Sequence, residues 1–239
     1  MNIVKTIKPT IHRVSPVRTN KQTDQVQEPT AKSKPEGLEQ TRFSVIYADP
    51  PWDVANQRGG RGAGKHYELM SLERIKNLPV GSITTKNSVC FLWLSNGIFQ
   101  EGIDVLEAWG YRPISDFIWI KPRVGLGKYF RYASEKMLLG VRGEMLPAIK
   151  TQPNWGFFPV QDHSHKPEEV YAIIERMYPN QRYLELFARR RPPNPDWYVW
   201  GNEAPDGSDI VLPDYPVPNY SKRAKPVSDN SHNSHVKED

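Results

Sequence analysis

Short apolar runs alternate with helically spaced apolar residues through the middle of the chain. Val45, Ile46 and Tyr47 are β-branched or aromatic, and two prolines follow that withhold N–H donors and fix φ, so a strand is predicted to end at Asp49. Leu72, Ile75 and Leu78 predict a short helix stopped by Pro79, and the near-continuous apolar run over 89–94 has the length of a buried strand neighbouring the first. Phe99, Ile103 and Leu106 fall at helical spacing before Gly110, and 114–120 resumes as a strand ended by Pro122. Glu135 opens a further strand over 136–141. Val170, Ile173, Ile174 and Met177 stand at i, i+3, i+4 and i+7, with Pro167 at the first turn and Glu168 and Glu169 suited to the helix dipole. A strand over 183–187 and the segment 196–203 close the series. Alternation of strand and helix means an α/β fold.

The flanks lack this patterning. Residues 1–41 mix Lys, Thr, Gln, Pro and Glu with no sustained apolar period, and from 205 to 239 Pro, Asp, Ser and Asn dominate. Both are predicted to be disordered arms around one domain at 42–204, because such compositions bury too little surface to offset the entropy of ordering. The chain of 239 residues is 38% apolar, long enough for one buried core, and its 22 prolines imply much irregular backbone. A net charge of +5 permits a polyanionic partner without requiring one. Cys90, the single cysteine, excludes an intramolecular disulfide and a cysteine-based zinc site, and its apolar neighbours predict burial. No run approaches the length of a membrane span and the N-terminus has no signal-like core, so a soluble, cytoplasmic protein is expected.

Asp49-Pro50-Pro51-Trp52 is the leading candidate for chemistry, since ligands of open α/β sheets bind at the carboxyl edge of the strands. The arrangement suits methyl transfer to an exocyclic amino nitrogen of a base, a poor nucleophile whose lone pair is delocalised into the ring. Asp49 would accept one N–H, the carbonyl of Pro50 the other, and Trp52 would stack on the flipped base, with Pro51 helping to fix the geometry. The plainer alternative is a strand-end turn with a solvated Asp and a core Trp.

Other stretches also carry candidate chemistry beside a plainer alternative. Gly59 through Lys65 fits the G-x-x-x-x-G-K frame, but His66 replaces the hydroxyl that would hold magnesium and the loop does not run from strand into helix, so a flap beside the site is the better reading. Arg123, Lys128 and Arg131 interleave with Tyr129, Phe130 and Tyr132, a pattern in which cations meet phosphates and rings stack on bases. His163 and His165 lack a third ligand at an evident spacing, so no metal is expected. Lys166 sits near a helix start, where a cation opposes the dipole; a broken local rule hints at function.

These segments, from Asp49-Pro50-Pro51-Trp52 through His165-Lys166-Pro167 and Leu186-Phe187-Ala188-Arg189 to Gly201-Asn202, resemble the MT-A70 family of S-adenosylmethionine-dependent adenine N6-methyltransferases. The resemblance implies a Rossmann-like methyltransferase fold in permuted order, with the catalytic strand ahead of the cofactor strand. It assigns Asp49, Lys166, Glu185, Arg189, Asn202 and Glu203 to the S-adenosylmethionine site, with the Lys166 ammonium toward the methionine carboxylate. Tyr67 would border the active site and Glu135 the substrate pocket. Glu203 stands where eukaryotic relatives carry Gln, and Arg191 where they carry His. The implied function is methyl transfer to adenine N6 in nucleic acid. DNA is favoured over RNA, because the chain resembles compact bacterial or phage-like members and its one cysteine excludes RNA-holding zinc fingers. The alternative is a non-catalytic nucleic-acid-binding partner of an active subunit. Relatives act as monomers, homodimers or heterodimers, and the sequence does not choose among these.

Overall fold

The computed structural model describes residues 42–53, 69–125, 129–162, 165–212 and 214–226. In chain order they form β1 (Phe43–Ala48), α1 (Leu72–Lys76), α2 (Val80–Ile83), β2 (Thr84–Leu94), α3 (Phe99–Ala108), β3 (Arg112–Ile120), β4 (Ser134–Arg142), β5 (Trp155–Phe157), α4 (Glu169–Met177), β6 (Tyr183–Leu186), β7 (Tyr198–Trp200), β8 (Ser208–Val211) and β9 (Tyr220–Pro226). The first seven strands make one sheet in the order β5-β3-β4-β2-β1-β6-β7. β4 runs antiparallel to both neighbours, and every other pair is parallel.

That order is the α/β, Rossmann-like methyltransferase arrangement in permuted form. β1 lies in the middle with β2 on one side and β6 on the other, although β6 comes late in the chain. The path leaves β1 toward β2 and leaves β6 toward β7, in opposite directions along the sheet, so the carboxyl ends of β1 and β6 flank a topological switch point. A crevice opens at this point.

β1 is buried on both faces, as a central parallel strand must be. Ile46 and Ala48 pack with Ile75, Val105, Leu106 and Trp109 on the side of α1 and α3, whereas Val45 and Tyr47 pack with Val170, Ile173 and Ile174 of α4. Cys90 is fully buried on β2.

Several expectations need adjusting. β2 begins at Thr84, well before the apolar run at 89–94. α3 buries Gly102, Val105 and Leu106 and leaves Phe99 48% exposed. The shift follows from Gly102, where a Cβ would overlap the Leu94 side chain, so this face approaches β2 most closely.

The larger correction concerns the tail expected to be disordered from 205. Residues 208–211 and 220–226 form the parallel pair β8–β9. Ser208 and Asp209 are fully buried because their side chains serve the open edge of β7: Gly201 N donates to Ser208 Oγ at 3.0 Å and Val199 N to Asp209 Oδ2 at 3.1 Å. Those polar residues read as loop composition, yet they satisfy edge donors that a further strand would otherwise take.

Candidate active site

The prolines place Asp49 as expected, one residue beyond β1. The turn is pinned on both sides. Trp52 N donates to the Pro50 carbonyl at 2.9 Å, Met70 N to the Pro51 carbonyl at 2.7 Å, and Asp53 N to the Met70 carbonyl at 3.0 Å. Trp52 itself is 3% exposed, and its indole Nε1 donates to the Trp93 carbonyl at 3.1 Å. It therefore presents no free face for a flipped base, and the expected stacking role is corrected to one of anchoring the turn against β2.

The carboxyl end of β6 supplies the other wall. Phe187 adopts φ of +63°, the left-handed conformation that costs a non-glycine residue about 1 kcal/mol or more, where a glycine-rich turn would adopt it freely. The backbone then turns sharply under Arg189, and Gly201 fits so closely against Ala188 that a Cβ there would overlap its backbone. The resulting cleft holds about 310 Å³ and is lined by Asp49, Pro50, Phe187, Arg189, Asn202 and Glu203 among others, a size within the usual range for small-ligand sites.

Beside it, charges of alternating sign form a ribbon. Lys166 donates to Asp49 Oδ2 at 2.7 Å and lies 3.5 Å from Glu135 Oε2, and Glu135 is also bonded by Lys121. β4 makes this possible: running against its neighbours, it brings its first residues to the edge where β3 ends, with Glu135 opposite Trp119. The Lys166 ammonium also lies 5.5 Å from the Trp93 ring centroid. Burial raises the Asp49 carboxyl above the usual range, and the Lys166 ammonium opposes the rise without cancelling it, although the side chain keeps 29% exposure to the cleft. Burial acts on Glu135 too, but Lys166 and Lys121 outweigh it and hold that carboxyl below the usual range.

A second, smaller recess of about 40 Å³ continues behind Asp49 and is lined by Lys166, Tyr171, Glu185 and Arg189. Glu185 sits opposite Tyr47 on β1 and accepts from Tyr171 Oη at 2.8 Å. Burial pushes its carboxyl up to about 8. Arg189 Nε donates to Glu203 Oε2 at 2.9 Å, linking the two ends of the cofactor wall expected from the sequence. Arg191 turns away instead, to Asp209 at 2.6 Å.

The structure thus brings Asp49, Pro50, Pro51, Lys166, Glu135, Glu185, Arg189, Asn202 and Glu203 around one crevice. Tyr67, Lys128 and the glycine-rich loop lie outside the described residues, as does His163. His165 pairs with Asp162 at 3.1 Å, and among the described residues no group of three or more possible metal ligands gathers. Arg131 is exposed on the β3–β4 connection beside Tyr129 and Phe130, which are 87% and 82% exposed. Lys121 and Tyr171 join the site without being among the residues expected from the sequence. Lys121 had a signal, a cation at the carboxyl end of an apolar strand; Tyr171 looked like one more residue of an amphipathic helix.

The MT-A70 family model matches residues 43–203. The chain is 32% identical over 196 residues to the N(6)-adenosine-methyltransferase MT-A70-like protein of Drosophila melanogaster, covering 76% of this chain and 30% of that protein. It is 29% identical over 187 residues to the human N(6)-adenosine-methyltransferase catalytic subunit METTL3, covering 72% of this chain and 30% of that protein. To the type II methyltransferase M.MunI of a Mycoplasma species it is 28% identical over 198 residues, covering 74% of this chain and 83% of that protein. The chain spans less than a third of the length of the first of these relatives. The family match runs from the start of β1 to the residues just past β7, the stretch that builds the switch-point crevice, and the chain belongs to the MT-A70 family.

Proposed function

We propose that the protein transfers a methyl group from S-adenosylmethionine to the N6 amino group of adenine in nucleic acid, with DNA favoured over RNA. The observation that carries this reading is Asp49: a carboxylate at the switch-point crevice, beside a backbone carbonyl, on a turn fixed by three hydrogen bonds.

The residues present fit S-adenosylmethionine. Lys166 and Arg189 offer cations toward a carboxylate, Asn202 and Glu203 offer partners for ribose hydroxyls, and the cleft wall contains Trp200, whose buried indole N–H has no acceptor among the described residues. A buried donor left unpaired costs about 1–3 kcal/mol, which a ligand acceptor would recover. When bound, S-adenosylmethionine supplies an electrophilic methyl group on a sulfonium.

The remaining work belongs to the chain. Lys166 occupies one oxygen of Asp49, and a carboxylate has a second with its own lone pairs, to which one N–H of the adenine amino group donates. The Pro50 carbonyl already accepts from Trp52 and has a second lone pair for the other N–H. Acceptors for both N–H bonds that draw the amino group away from planarity localise its lone pair on nitrogen, and Asp49 is a base at hand for the proton lost on methylation. Tyr129, Phe130 and Arg131 offer exposed rings and a cation for an extruded base and its phosphates. Initial rates of labelled methyl transfer on matched DNA and RNA oligonucleotides test the polymer: faster DNA is expected, and a strong RNA preference overturns that part. The non-catalytic alternative is not favoured, since Asp49, Pro50 and Lys166 are all present and assembled.

A further inference from the structure

The family match ends at residue 203, yet the cleft does not. Tyr215 and Pro216, from the connection between β8 and β9, line it beside Met70, Arg74 and Trp200. The connection is held firmly in place. Leu212 and Val217 are buried in the core on the α1 side, and Tyr215 N donates to the Leu212 carbonyl at 3.2 Å. Tyr215 Oη reaches the Arg74 carbonyl at 3.5 Å, across to α1. The anchor is Arg191, just beyond the cofactor strand. It donates to Asp209 Oδ2 at 2.6 Å, to the Gly207 carbonyl at 2.8 Å and to the Pro205 carbonyl at 3.1 Å. Asp209 also accepts from Ser221 Oγ at 2.6 Å, which ties β8 to β9.

The two lobes of the crevice differ in chemistry. The smaller recess is lined mostly by charged side chains of both signs, among them Lys166, Arg189 and Arg190, whose cations suit a carboxylate. The larger lobe offers a flat face from Tyr215 and apolar surface from Pro216 and Met70, with the Trp200 N–H, which has no acceptor among the described residues, as a buried donor. Flat walls with a few polar groups suit a planar heteroaromatic ring.

Building on the function proposed above, we infer that Tyr215 and Pro216, held in place by the Arg191–Asp209 pair, form the face on which the adenine ring of S-adenosylmethionine rests. The C-terminal segment is then part of the cofactor site of this chain.

Calorimetric titration of the full chain with S-adenosylhomocysteine tests this. Tyr215→Ala should bind at least about tenfold more weakly than wild type, the scale of a lost base–aromatic stack, while Tyr215→Phe, which keeps the ring, should bind like wild type. The oligonucleotide KM should not change. Equal binding by Tyr215→Ala and wild type overturns the inference, as does a raised oligonucleotide KM with cofactor binding intact, which would give this face to the substrate base. Failure of wild type to bind either S-adenosylhomocysteine or S-adenosylmethionine refutes the methyltransferase reading instead. Should Tyr215→Ala not fold, hydrogen exchange on the wild-type chain decides: S-adenosylhomocysteine should slow exchange at the Tyr215 and Val217 amides, and unchanged rates overturn the inference.

Discussion

Lys166 donates to Asp49 Oδ2 across 2.7 Å, joining two residues 117 positions apart in the chain. The pair resolves a conflict on each side. A lysine near a helix start is poorly placed by the dipole, and a carboxylate in a recess is poorly solvated; each becomes tolerable beside the other.

The first prediction follows from that opposition. Burial already lifts the Asp49 carboxyl, and Lys166→Gln removes the charge that opposes the rise, so the carboxyl moves further up. If ionised Asp49 is the acceptor, the acid limb of the kcat/KM profile shifts to higher pH in Lys166→Gln. An unmoved limb detaches Lys166 from the acid–base behaviour of the site.

Much of this site was legible in sequence because its causes are local. Two prolines end a strand wherever they stand, so Asp49 was placed correctly, and four apolar residues at helical spacing fixed the buried face of α4. What was not legible depended on pairing across the sheet. Nothing near Glu135 announces that β4 runs against its neighbours and so carries that residue to Lys166. Ser208 and Asp209 look like loop residues until the open edge of β7 is known. Trp52 follows a turn that invites exposure, and the carbonyl of Trp93 that buries it lies on another strand.

Glu185 gives a prediction about stability in the absence of ligand. Its carboxyl is raised by burial from an ordinary value of 4.5 to about 8, so the folded state holds a proton that the unfolded state has released. Between those two values the unfolded state binds fewer protons, and stability falls as pH rises. The contribution is fully present below about pH 4.5 and is lost by about pH 8. Glu185→Gln keeps an acceptor for Tyr171 and cannot ionise. Chemical denaturation should find it close to wild type at acid pH and more stable at pH 9, by on the order of 2 kcal/mol or more. A parallel pH dependence in the two proteins contradicts the assignment.

Asp209 is buried and accepts from Arg191, Val199 N and Ser221. Asp209→Ala leaves those donors unmatched, and breaking one side of such a pair costs about 3–5 kcal/mol. Urea denaturation should show a loss of that size, accompanied by faster hydrogen exchange in 208–226. A loss below about 1 kcal/mol, the level typical of exposed pairs, would mean that the segment is docked by other contacts.

Arg131 and the exposed rings of Tyr129 and Phe130 predict a salt-dependent contribution to nucleic-acid binding. Arg131→Ala should weaken binding about equally across sequences and lower the slope of log K against log salt by about 1. Phe130→Ala should weaken binding with the slope unchanged. Fluorescence anisotropy with a single-stranded oligonucleotide separates the two, and an Arg131→Ala slope equal to wild type removes this loop from the interface.

The central claim is that Asp49 makes an adenine amino group nucleophilic. Its most direct test is transfer of labelled methyl from S-adenosylmethionine to adenine-containing DNA, with nucleoside analysis of the product, for wild type and Asp49→Asn of equal thermal stability. Wild type should yield N6-methyladenine, and Asp49→Asn should lower kcat by about 100-fold or more, the scale for loss of a positioned acid–base group. Transfer by Asp49→Asn at the wild-type rate, or no methylation of DNA or RNA adenine by wild type, would contradict it.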